Sequence, residues 1–435
     1  MTLYPYQRLG AQFLASRQKA LLSDGMGLGK TIQAITAAKA IGAKSIAVVC
    51  PAIARTMWGR ELDRANFRGR RIIDSYDRVS RRRDVQEEIA AMKPDVLVLD
   101  EAQFLKNRKA KRTKTVYGQQ SGGDGLVQFA QRVWLLSGTP VPNNASELWP
   151  HFAALWPELI PARVGGERPQ NWYEFVSRFC FYRQHPQYGL QVTGNRNPEE
   201  LRSLMCQFML RRCPEEVLTE LPPLSWGDVV LDPKQISVEL KEFLNSPGYA
   251  ELAEVLESAI EGEQSFEIPQ MATLRKLTGI AKAGAAAELV ASELESKTYP
   301  KIVIFAWHHE VMDVLQRQLQ HFGVVRVDGG TPARTRQRCI DTFQNDSAVK
   351  VFLGQIRACG TAITLTASNQ VAFVEASWTP ADNLQAAKRC HRIGQTKLTM
   401  VRMFSLAGSI DEVVTRILAR KARMTSEIED GANSK

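Results

Sequence analysis

Short, continuous apolar runs rich in β-branched residues recur along the chain, and they constrain its fold more than any other feature. SIAVV (45–49) and KIVIF (301–305) are typical, and neither alternates apolar with polar residues. Such runs predict strands buried on both faces, as in parallel sheets covered by helices. Helical patterns lie between them, for example at 31–42 and 311–323, so we predict an α/β fold. The remaining runs are 95–99, 132–136, 324–327, 349–353 and 371–374.

The predicted strands form two groups, one between residues 45 and 136 and the other between residues 301 and 404. The sequence between the groups differs from both, because it is first rich in aromatic, proline and turn residues and then helical in pattern. We therefore predict two parallel-sheet lobes with helical insertions between them. The predicted domains are a first lobe at 1–150, an insertion and linker at 151–225, a helical protrusion at 226–295 and a second lobe at 296–435.

The chain is basic, with a formal net charge of +10 and a pI near 9.3. This balance is typical of proteins that bind polyanions, although a charged surface also serves solubility. The basic residues are clustered rather than spread. The segment KNRKAKRTK (106–114) carries six basic side chains in nine residues, and it is the strongest candidate for a nucleic-acid contact.

The cysteine content and the hydropathy argue against several other classes of protein. The 7 cysteines are odd in number and include no CxxC pair, which predicts reduced thiols rather than a disulfide framework or a zinc site. No apolar run reaches the roughly 18 residues of a membrane span. The start of the chain lacks the pattern of a signal peptide. We expect a soluble, intracellular protein, cytoplasmic if its source is bacterial or viral, with no membrane partner.

A glycine-rich loop, SDGMGLGKTIQ (23–33), follows an apolar stretch and opens a helical pattern. Such a loop presents backbone N–H groups to phosphates at a helix N-terminus. The lysine would reach the β- and γ-phosphates, and the hydroxyl after it would bind Mg²⁺. A glycine-rich surface turn is the alternative. The predicted ATP-binding residues here are Asp24, Gly25, Met26, Gly27, Leu28, Gly29, Lys30 and Thr31, with Asp24 where the strict motif has glycine.

An acidic pair ends the predicted strand in DVLVLDEAQ (95–103). A phosphate-binding loop implies such a pair, because the metal ion of the nucleotide and the attacking water both need an acidic group. Asp100 is predicted to hold Mg²⁺ together with Thr31, and Glu101 to orient or deprotonate the water. The alternative is two solvated acids beside a helix.

Several motifs occur in the order found in helicases: YQ (6–7), DGMGLGKT, DEAQFLKN, LLSGTP (135–140) and QAAKRCHRIGQ (385–395). Together they resemble the Swi/Snf-like branch of superfamily 2 ATPases, and the stretch from 353 to 395 looks most like the HARP-type annealing helicases. The resemblance runs from residue 3 to about residue 418. It implies two RecA-like lobes, ATP and Mg²⁺ as cofactors, and movement on double-stranded DNA without sustained unwinding.

The same resemblance suggests roles for further residues. Gln7 would recognise the adenine edge, with a surface glutamine as the alternative. Arg389 and Arg392 would act as arginine fingers from the second lobe. They stand three positions apart, so we expect them to share a helix face, and an ordinary basic helix face is the alternative. Residues assigned by the motifs beside them are Ser137 and Thr139 in the first lobe and Gly360, Thr361 and Gln385 in the second, of which Gly360 and Gln385 would lie on the nucleotide.

The predicted DNA contacts are mostly in the basic segment, which follows DEAQ directly. Phosphate contacts by Lys and Arg give affinity that does not depend on sequence, as a motor requires. Trp58 is assigned to the core, and neither a wedge nor a stacking platform for strand separation is recognisable. The candidate residues are Arg55, Lys106, Arg108, Lys109, Lys111, Arg112 and Trp378.

These motifs predict a Mg-ATP-dependent translocase that acts on double-stranded or branched DNA. It would remodel DNA, reanneal branches or displace bound protein, as a monomer that a partner protein can recruit. Two alternatives remain open at this point: a nucleotide-gated DNA-binding switch and an RNA-stimulated ATPase.

Overall fold

The computed structural model of the chain describes residues 3–118, 125–141, 144–160, 171–185, 189–218, 221–231, 269–359, 363–377, 380–392, 394–407 and 409. These residues divide into two compact units, one within residues 1–218 and the other within residues 219–422. Each unit contains a six-stranded sheet in which every neighbouring pair is parallel. The prediction of two parallel-sheet lobes is therefore confirmed.

The first sheet has the strand order β3-β2-β4-β5-β1-β8. All three apolar runs predicted for this half of the chain are strands in its centre. The short last strand belongs to the stretch for which the sequence predicts an insertion. The strands are β1 (Lys19–Leu22), β2 (Ser45–Cys50), β3 (Arg70–Ser75), β4 (Val96–Asp100), β5 (Arg132–Leu136) and β8 (Met209–Leu210).

Helices cover this sheet because its central strands are apolar on both faces. Every residue of β2 and β4 is buried, so polar side chains have no place along them. A second part of the same core is aromatic, with Phe152, Phe175 and Phe208 packed against one another through neighbouring rings. The helices are α1 (Pro5–Ala15), α2 (Lys30–Ala40), α3 (Arg55–Arg64), α4 (Tyr76–Arg81), α5 (Arg83–Met92), α6 (Lys111–Tyr117), α7 (Trp149–Leu155), α8 (Trp172–Phe179), α9 (Pro198–Cys206) and α10 (Pro214–Val217).

A two-stranded antiparallel ribbon stands apart from the first sheet. Its strands are β6 (Cys180–His185) and β7 (Gly189–Asn195), and the register shifts between Phe181 and Tyr182. The ribbon follows α8 directly, so its first residue, Cys180, is still buried in the core. The next residues along β6 are exposed.

The second sheet has the strand order β11-β12-β10-β13-β14-β9. The apolar runs predicted for this half of the chain are its strands, and β9 adds an edge strand from residues predicted to lie in a linker and helical protrusion. The strands are β9 (Leu224–Leu231), β10 (Ile302–Ala306), β11 (Val324–Val327), β12 (Val351–Gln355), β13 (Gln370–Phe373) and β14 (Thr399–Leu406).

The longest helix among the described residues of the second unit packs on this sheet through small residues. Ala283, Ala286 and Val290 of this helix lie in one buried cluster with Ile304 of β10, and small side chains allow the backbone to approach the sheet closely. The domain boundaries that the sequence predicts remain predictions. The helices are α11 (Pro269–Glu295), α12 (His309–Leu319), α13 (Ala333–Asn345), α14 (Ile356–Cys359) and α15 (Pro380–Ala387).

No helix in the described part of the chain combines the length and the apolar composition that crossing a bilayer requires.

Two glycines that follow helices have nearly the same left-handed backbone conformation but differ in how closely other atoms surround them. Gly42 has a φ of 68° and Gly323 a φ of 71°. A methyl group added at Gly42 would meet no atom within 4 Å, whereas at Gly323 it would lie 2.3 Å from the carbonyl oxygen of Ala348. We predict that Gly42→Ala costs only the left-handed conformation, about 1–2 kcal/mol, and that Gly323→Ala costs clearly more. Calorimetric unfolding measures both, and equal shifts of the two melting temperatures would contradict the prediction.

Candidate active site

The glycine-rich loop connects β1 to α2 at the carboxyl edge of the first sheet. Gly27 and Gly29 both have positive φ values, 88° and 76°, which glycine adopts at little cost. Gly29 is also the residue before α2, and no side chain caps the N-terminus of that helix. Gly29 has no side chain that could accept a hydrogen bond from the first amide groups of α2, and a helix N-terminus after a glycine-rich loop is a binding site for anionic groups.

Lys30 lies at the first position of α2, and its ammonium group turns back over the loop. Its Nζ donates to the carbonyl oxygen of Asp24 at 2.7 Å and lies 3.4 Å from that of Gly25. A Cβ added at Gly138 of the SGTP segment would lie 3.4 Å from the same Nζ and 2.8 Å from Cγ of Met26. The SGTP segment therefore packs directly against the glycine-rich loop, and only glycine at position 138 leaves room for Met26.

Asp100 ends β4 beside this loop and is almost completely buried. Burial, followed by the negative charge of Glu101, raises the pKa of its carboxyl group to about 7, although the indole of Trp58, the ammonium group of Lys30 and the backbone N–H of Glu101 oppose the rise. Trp58 Nε1 donates to Oδ2 of Asp100 at 2.7 Å. A carboxylate in this position is stabilised by a nearby cation, which a bound metal ion would provide.

Glu101 has a φ of 51°, an uncommon left-handed conformation for a residue with a side chain. Its carboxylate accepts a hydrogen bond from Nε2 of Gln103 at 2.9 Å, and Ser137 Oγ donates to Oε1 of Gln103 at 2.8 Å. Thr139 N in turn donates to Oγ of Ser137 at 3.1 Å. One chain of hydrogen bonds thus joins the acidic pair to the SGTP segment, and strained backbone held in this way is typical of functional sites.

The side chain of Asp24 turns into the protein instead of toward the loop's outer face. It is fully buried, and Arg212 binds both of its oxygens, with Nε at 2.9 Å from Oδ1 and Nη2 on Oδ2. Gln33 Nε2 donates to the same carboxylate at 3.0 Å. Arg212 also donates to the carbonyl oxygen of Tyr6 and to Oε1 of Gln33. Asp24 therefore contributes its backbone carbonyl to Lys30 and its carboxylate to a buried ion pair.

Gln7 is buried, which excludes the alternative of a surface glutamine. Its Nε2 donates to the carbonyl oxygen of Leu28 at 3.2 Å, and its Oε1 accepts from the backbone N–H of Tyr4 at 3.1 Å. A Cβ added at Gly29 would lie 2.7 Å from this Nε2. Gln7 thus holds the glycine-rich loop in place, and recognition of adenine stays a prediction.

The two arginines of the second unit do not lie on one helix face, and this expectation is wrong. Helix α15 ends at Ala387, so both arginines belong to the turns that follow it. Arg389 is buried and its Nε donates to the carbonyl oxygen of Gln385 at 3.1 Å. Arg392 Nη1 donates to the carbonyl oxygen of Ile363 at 2.9 Å, and burial lowers the pKa of its guanidinium group.

The rest of the HRIGQ motif organises the loop that carries these arginines. Gln395 Nε2 donates to the carbonyl oxygens of Thr366, Ser368 and Cys390. His391 Nε2 lies 2.7 Å from the carbonyl oxygen of Pro222. These hydrogen bonds link the turns that carry the two arginines to residues 366–368 and to Pro222.

Several predicted DNA-binding residues make contacts within the first unit. Arg55 pairs with Asp74 at 3.4 Å, and Lys106 pairs with Glu147 at 2.8 Å. The guanidinium group of Arg108 lies over the ring of Trp172 at 4.6 Å.

Of the other predicted DNA contacts, one lies over an aromatic ring, two are exposed and one lies outside the described residues. Arg112 lies over the ring of Phe104 at 5.5 Å. Lys109 and Lys111 are exposed. Trp378 lies outside the described residues. The same holds for Gly360, which is a predicted nucleotide contact, and for Thr361 of the same motif.

Sequence reasoning missed two residues of the site. Trp58 was assigned to the core, and it does lie there, but its indole also holds Asp100. The sequence predicts no role for Arg212, although this residue binds the carboxylate of Asp24, 188 positions earlier in the chain. No local pattern marks either residue, because each contact joins separate elements of the fold.

Two protein families match the chain. The family described as an SNF2-related domain matches residues 68–254, and the family described as a helicase conserved C-terminal domain matches residues 284–394.

Curated relatives match almost the entire chain. The chain is 31% identical over 451 residues to "SWI/SNF-related matrix-associated actin-dependent regulator of chromatin subfamily A-like protein 1" of Drosophila melanogaster, covering 98% of the chain and 56% of that protein. It is 30% identical over 456 residues to the homolog of that protein in Caenorhabditis elegans, covering 98% of the chain and 62% of the relative. It is 27% identical over 467 residues to the Homo sapiens protein "DNA annealing helicase and endonuclease ZRANB3", covering 100% of the chain and 41% of that protein. The chain therefore spans about half the length of these relatives.

Among solved structures, the chain is similar to "Sulfolobus solfataricus SWI2/SNF2 ATPase core in complex with dsDNA". The TM-score is 0.42 at 21% sequence identity, and the match covers 100% of this chain and 95% of that chain.

The buried pair of Asp24 and Arg212 leads to a prediction about stability. Arg212→Gln leaves a fully buried carboxylate without its cation, and we expect a loss on the order of 3–5 kcal/mol in the free energy of unfolding. Adding Asp24→Asn removes the orphaned charge, so the double variant should regain part of that loss. Denaturant unfolding of the single and double variants measures the coupling.

The matched control is the exposed pair of Arg82 and Asp84, which has the same two-bond geometry, at 3.1 Å and 2.7 Å. Arg82→Gln should leave the stability nearly unchanged, because solvent screens exposed ion pairs. If Arg212→Gln behaved like Arg82→Gln, the buried pair would have no special role.

Proposed function

Because the chain belongs to the SNF2-related family of helicase-type ATPases, we propose that it is a DNA-dependent ATPase that couples Mg-ATP hydrolysis to movement along double-stranded DNA. Movement of this kind would remodel DNA, reanneal branches or displace bound protein. The curated relatives include proteins that are named as annealing helicases, which supports the activity on DNA. The whole-protein activity is part of the proposal, since the chain corresponds to about half of each relative.

The observation that carries the proposal is the meeting of three motifs at one edge of the first sheet. Lys30 of the glycine-rich loop, Asp100 at the end of β4 and Gly138 after β5 are neighbours in space. Opposite charges of this kind are needed where a triphosphate and its metal ion bind. A surface turn or a pair of solvated acids would not bring these groups together in a buried setting.

The residues present fit a nucleotide and a divalent cation. The uncapped N-terminus of α2 and the ammonium group of Lys30 suit phosphate, and the buried oxygens of Asp100, with the hydroxyl of Thr31, suit Mg²⁺. When bound, Mg-ATP supplies the phosphoryl group whose transfer to water releases the free energy used for movement.

The protein's own residues would divide the remaining tasks. Lys30 exchanges its loop carbonyls for phosphate oxygens and neutralises their charge. Glu101 holds a water at its carboxylate, with its orientation set by Gln103. Gln103 also reaches Ser137, so a change at the acidic pair is transmitted to the SGTP segment. Glu101 is therefore proposed to act as the general base that deprotonates this water.

Arg389 and Arg392 remain the proposed arginine fingers of the second unit. Guanidinium groups suit this role because they stay charged and pair with phosphate in a fixed planar geometry. The low exposure of Arg389 and the lowered pKa of Arg392 indicate guanidinium groups that are already partly removed from water. Groups held in this way lose little further hydration when they bind an anion. Gln385 and Gly360 are also proposed to lie beside the nucleotide.

For DNA, the exposed Lys109 and Lys111 are the best placed members of the basic segment. Arg55 and Lys106 are paired with acidic residues, so binding a phosphate through them would require those pairs to exchange partners. Arg108, Arg112 and Trp378 are also proposed to contact DNA.

ATP turnover with and without duplex DNA tests the function. We expect duplex DNA to raise kcat, and Lys30→Ala and Arg389→Ala each to lower it by on the order of 10³-fold, because each removes positive charge from the reacting phosphates. Thermal unfolding of each variant serves as the control for folding.

Three outcomes would point elsewhere. Stimulation by RNA and not by duplex DNA would favour an RNA-stimulated ATPase. Nucleotide-dependent DNA binding without turnover, and without displacement of a triplex-forming strand, would favour a binding switch. No ATP hydrolysis under any condition would refute the proposal.

Trp58 is predicted to be a positioning residue for the metal-binding carboxylate. Trp58→Phe keeps most of the buried ring but removes the hydrogen bond to Asp100, so we expect turnover to fall on the order of tenfold. The concentration of Mg²⁺ needed for half-maximal turnover should rise, which a purely structural role would not cause. Trp134→Phe is the control, because it removes a buried indole bond to the carbonyl oxygen of Arg17, away from the site. Equal effects of the two substitutions would contradict the assignment.

A further inference from the structure

The antiparallel ribbon of the first unit exposes aromatic side chains that the proposed ATPase site does not use. Phe181 and Tyr182 are adjacent on β6, and 52% and 45% of their surfaces are exposed. Adjacent residues of a strand point to opposite faces, so the two rings leave β6 on different faces. Tyr173, on the helix that precedes the ribbon, is 58% exposed. Large aromatic residues grouped in this way on a surface mark an interaction site.

Three of the groups on this surface converge around one residue. The hydroxyl of Tyr182 lies 3.2 Å from Oγ of Ser177, and Arg196 Nη1 donates to the carbonyl oxygen of Ser177 at 3.4 Å. Tyr173 stands four positions before Ser177 on α8, so the two share a face of that helix. Tyr173, Tyr182 and Arg196 therefore form one continuous surface.

Phe181 provides a second stacking face on the other side of the ribbon. Its partner across the ribbon is Gly194, which has no side chain to cover the ring. The next pair, Tyr182 with Val192, follows a shift in register. A bulge of this kind increases the local twist and re-aims side chains. Phe181 therefore has no side chain opposite it, whereas Tyr182 lies opposite Val192, which packs against the core, and is still 45% exposed.

The charge of the segment indicates the chemistry of the partner. Between Phe175 and Pro198 the sequence has no aspartate or glutamate, while it contains Arg178, Arg183 and Arg196. Arg178 is paired with Glu200, whereas Arg183 and Arg196 are exposed. Exposed aromatic rings beside arginines are the combination by which proteins hold single-stranded nucleic acid.

Aromatic rings distinguish between unpaired and paired bases. A ring can stack only on the face of a base, and in a duplex those faces are covered by the neighbouring base pairs. Phosphate contacts alone would need no aromatic residues. The surface formed by Tyr173, Phe181, Tyr182, Arg183 and Arg196 is therefore suited to bases that have left the duplex.

We infer that this surface is a stacking site for unpaired DNA bases next to a duplex. The inference rests on the proposed function, because the site would hold part of the DNA that the same motor engages. The arginines bind the backbone of the arm, and the rings stack on its first bases. The sequence alone does not reveal this stacking site.

The test compares a blunt duplex with the same duplex carrying a single-stranded DNA arm, in fluorescence-anisotropy titrations. The double variant Phe181→Ala/Tyr182→Ala should lose affinity for the armed duplex by about 5- to 100-fold, while its affinity for the blunt duplex stays the same. A fluorescent adenine analogue in the arm, quenched when it stacks, should lose its quenching in the same variant. Trp226→Ala is the control, because Trp226 is an aromatic residue of similar exposure on β9 of the second unit.

Further variants separate stacking from structural effects. Tyr182→Phe keeps the ring and removes the hydroxyl, so it should retain the preference for the arm. Tyr173→Ala changes a ring outside the ribbon and should weaken the preference even if the double variant proves unstable on heating. An unchanged preference in the double variant and in Tyr173→Ala would overturn the inference. An equal loss for blunt and armed duplex, or tighter binding of an RNA arm than of the DNA arm, would overturn it as well.

The binding test of the stacking site and the ATPase test of the proposed function can fail separately. If duplex DNA stimulates turnover in the double variant as in the natural sequence, and the preference for the arm is lost, both proposals are supported. If stimulation is present and the arm has no effect on the natural sequence, only the stacking site is refuted. If turnover never responds to DNA, the motor is refuted whatever the binding titrations show.

Discussion

Parallel pairing of buried strands is the constraint on which the candidate site depends. In the first unit, β1, β4 and β5 run in the same direction, so the residues that follow them leave the sheet at one edge. The glycine-rich loop and the SGTP segment are the first residues after β1 and β5, and the acidic pair consists of the last residue of β4 and the residue that follows it. Crossover connections through helices keep both faces of the sheet dry, which leaves this edge as the place where polar groups can gather.

Buried charge then determines how the site is held. Asp24 and Asp100 lie at the same edge and are both carboxylates removed from water, yet they have different partners. Arg212 neutralises Asp24 within the protein, which fixes the loop to the end of the first unit. Asp100 instead accepts hydrogen bonds from the indole of Trp58 and the backbone N–H of Glu101, which, with the more distant charge of Lys30, oppose its burial and the charge of Glu101. One carboxylate therefore serves as a structural anchor, while the other is suited to bind a cation that arrives with the substrate.

Some of this arrangement follows from local sequence and some does not. The predicted apolar runs are strands, because burial on both faces leaves a continuous pattern that neighbouring residues record. The glycine-rich loop is recognisable because positive φ values require glycine at particular positions. The shared helix face of Arg389 and Arg392 was wrong, since spacing in the sequence indicates a common face only where the helix continues. Arg55 and Lys106 are predicted DNA contacts, and the sequence does not reveal that acidic residues elsewhere in the fold pair with them.

The sequence by itself determined the α/β class, the two groups of parallel strands, the glycine-rich loop, the acidic pair and the resemblance to the Swi/Snf-like ATPases, which the family matches confirm. Only the tertiary structure decided that Arg212 neutralises Asp24, that Trp58 holds Asp100 and that Phe181 and Tyr182 are exposed on a two-stranded ribbon. The physical reason is the range of the interactions. Strand burial and loop conformation act between near neighbours and leave a local pattern, whereas an ion pair across 188 positions, or the exposure of a particular side chain, depends on how distant segments pack.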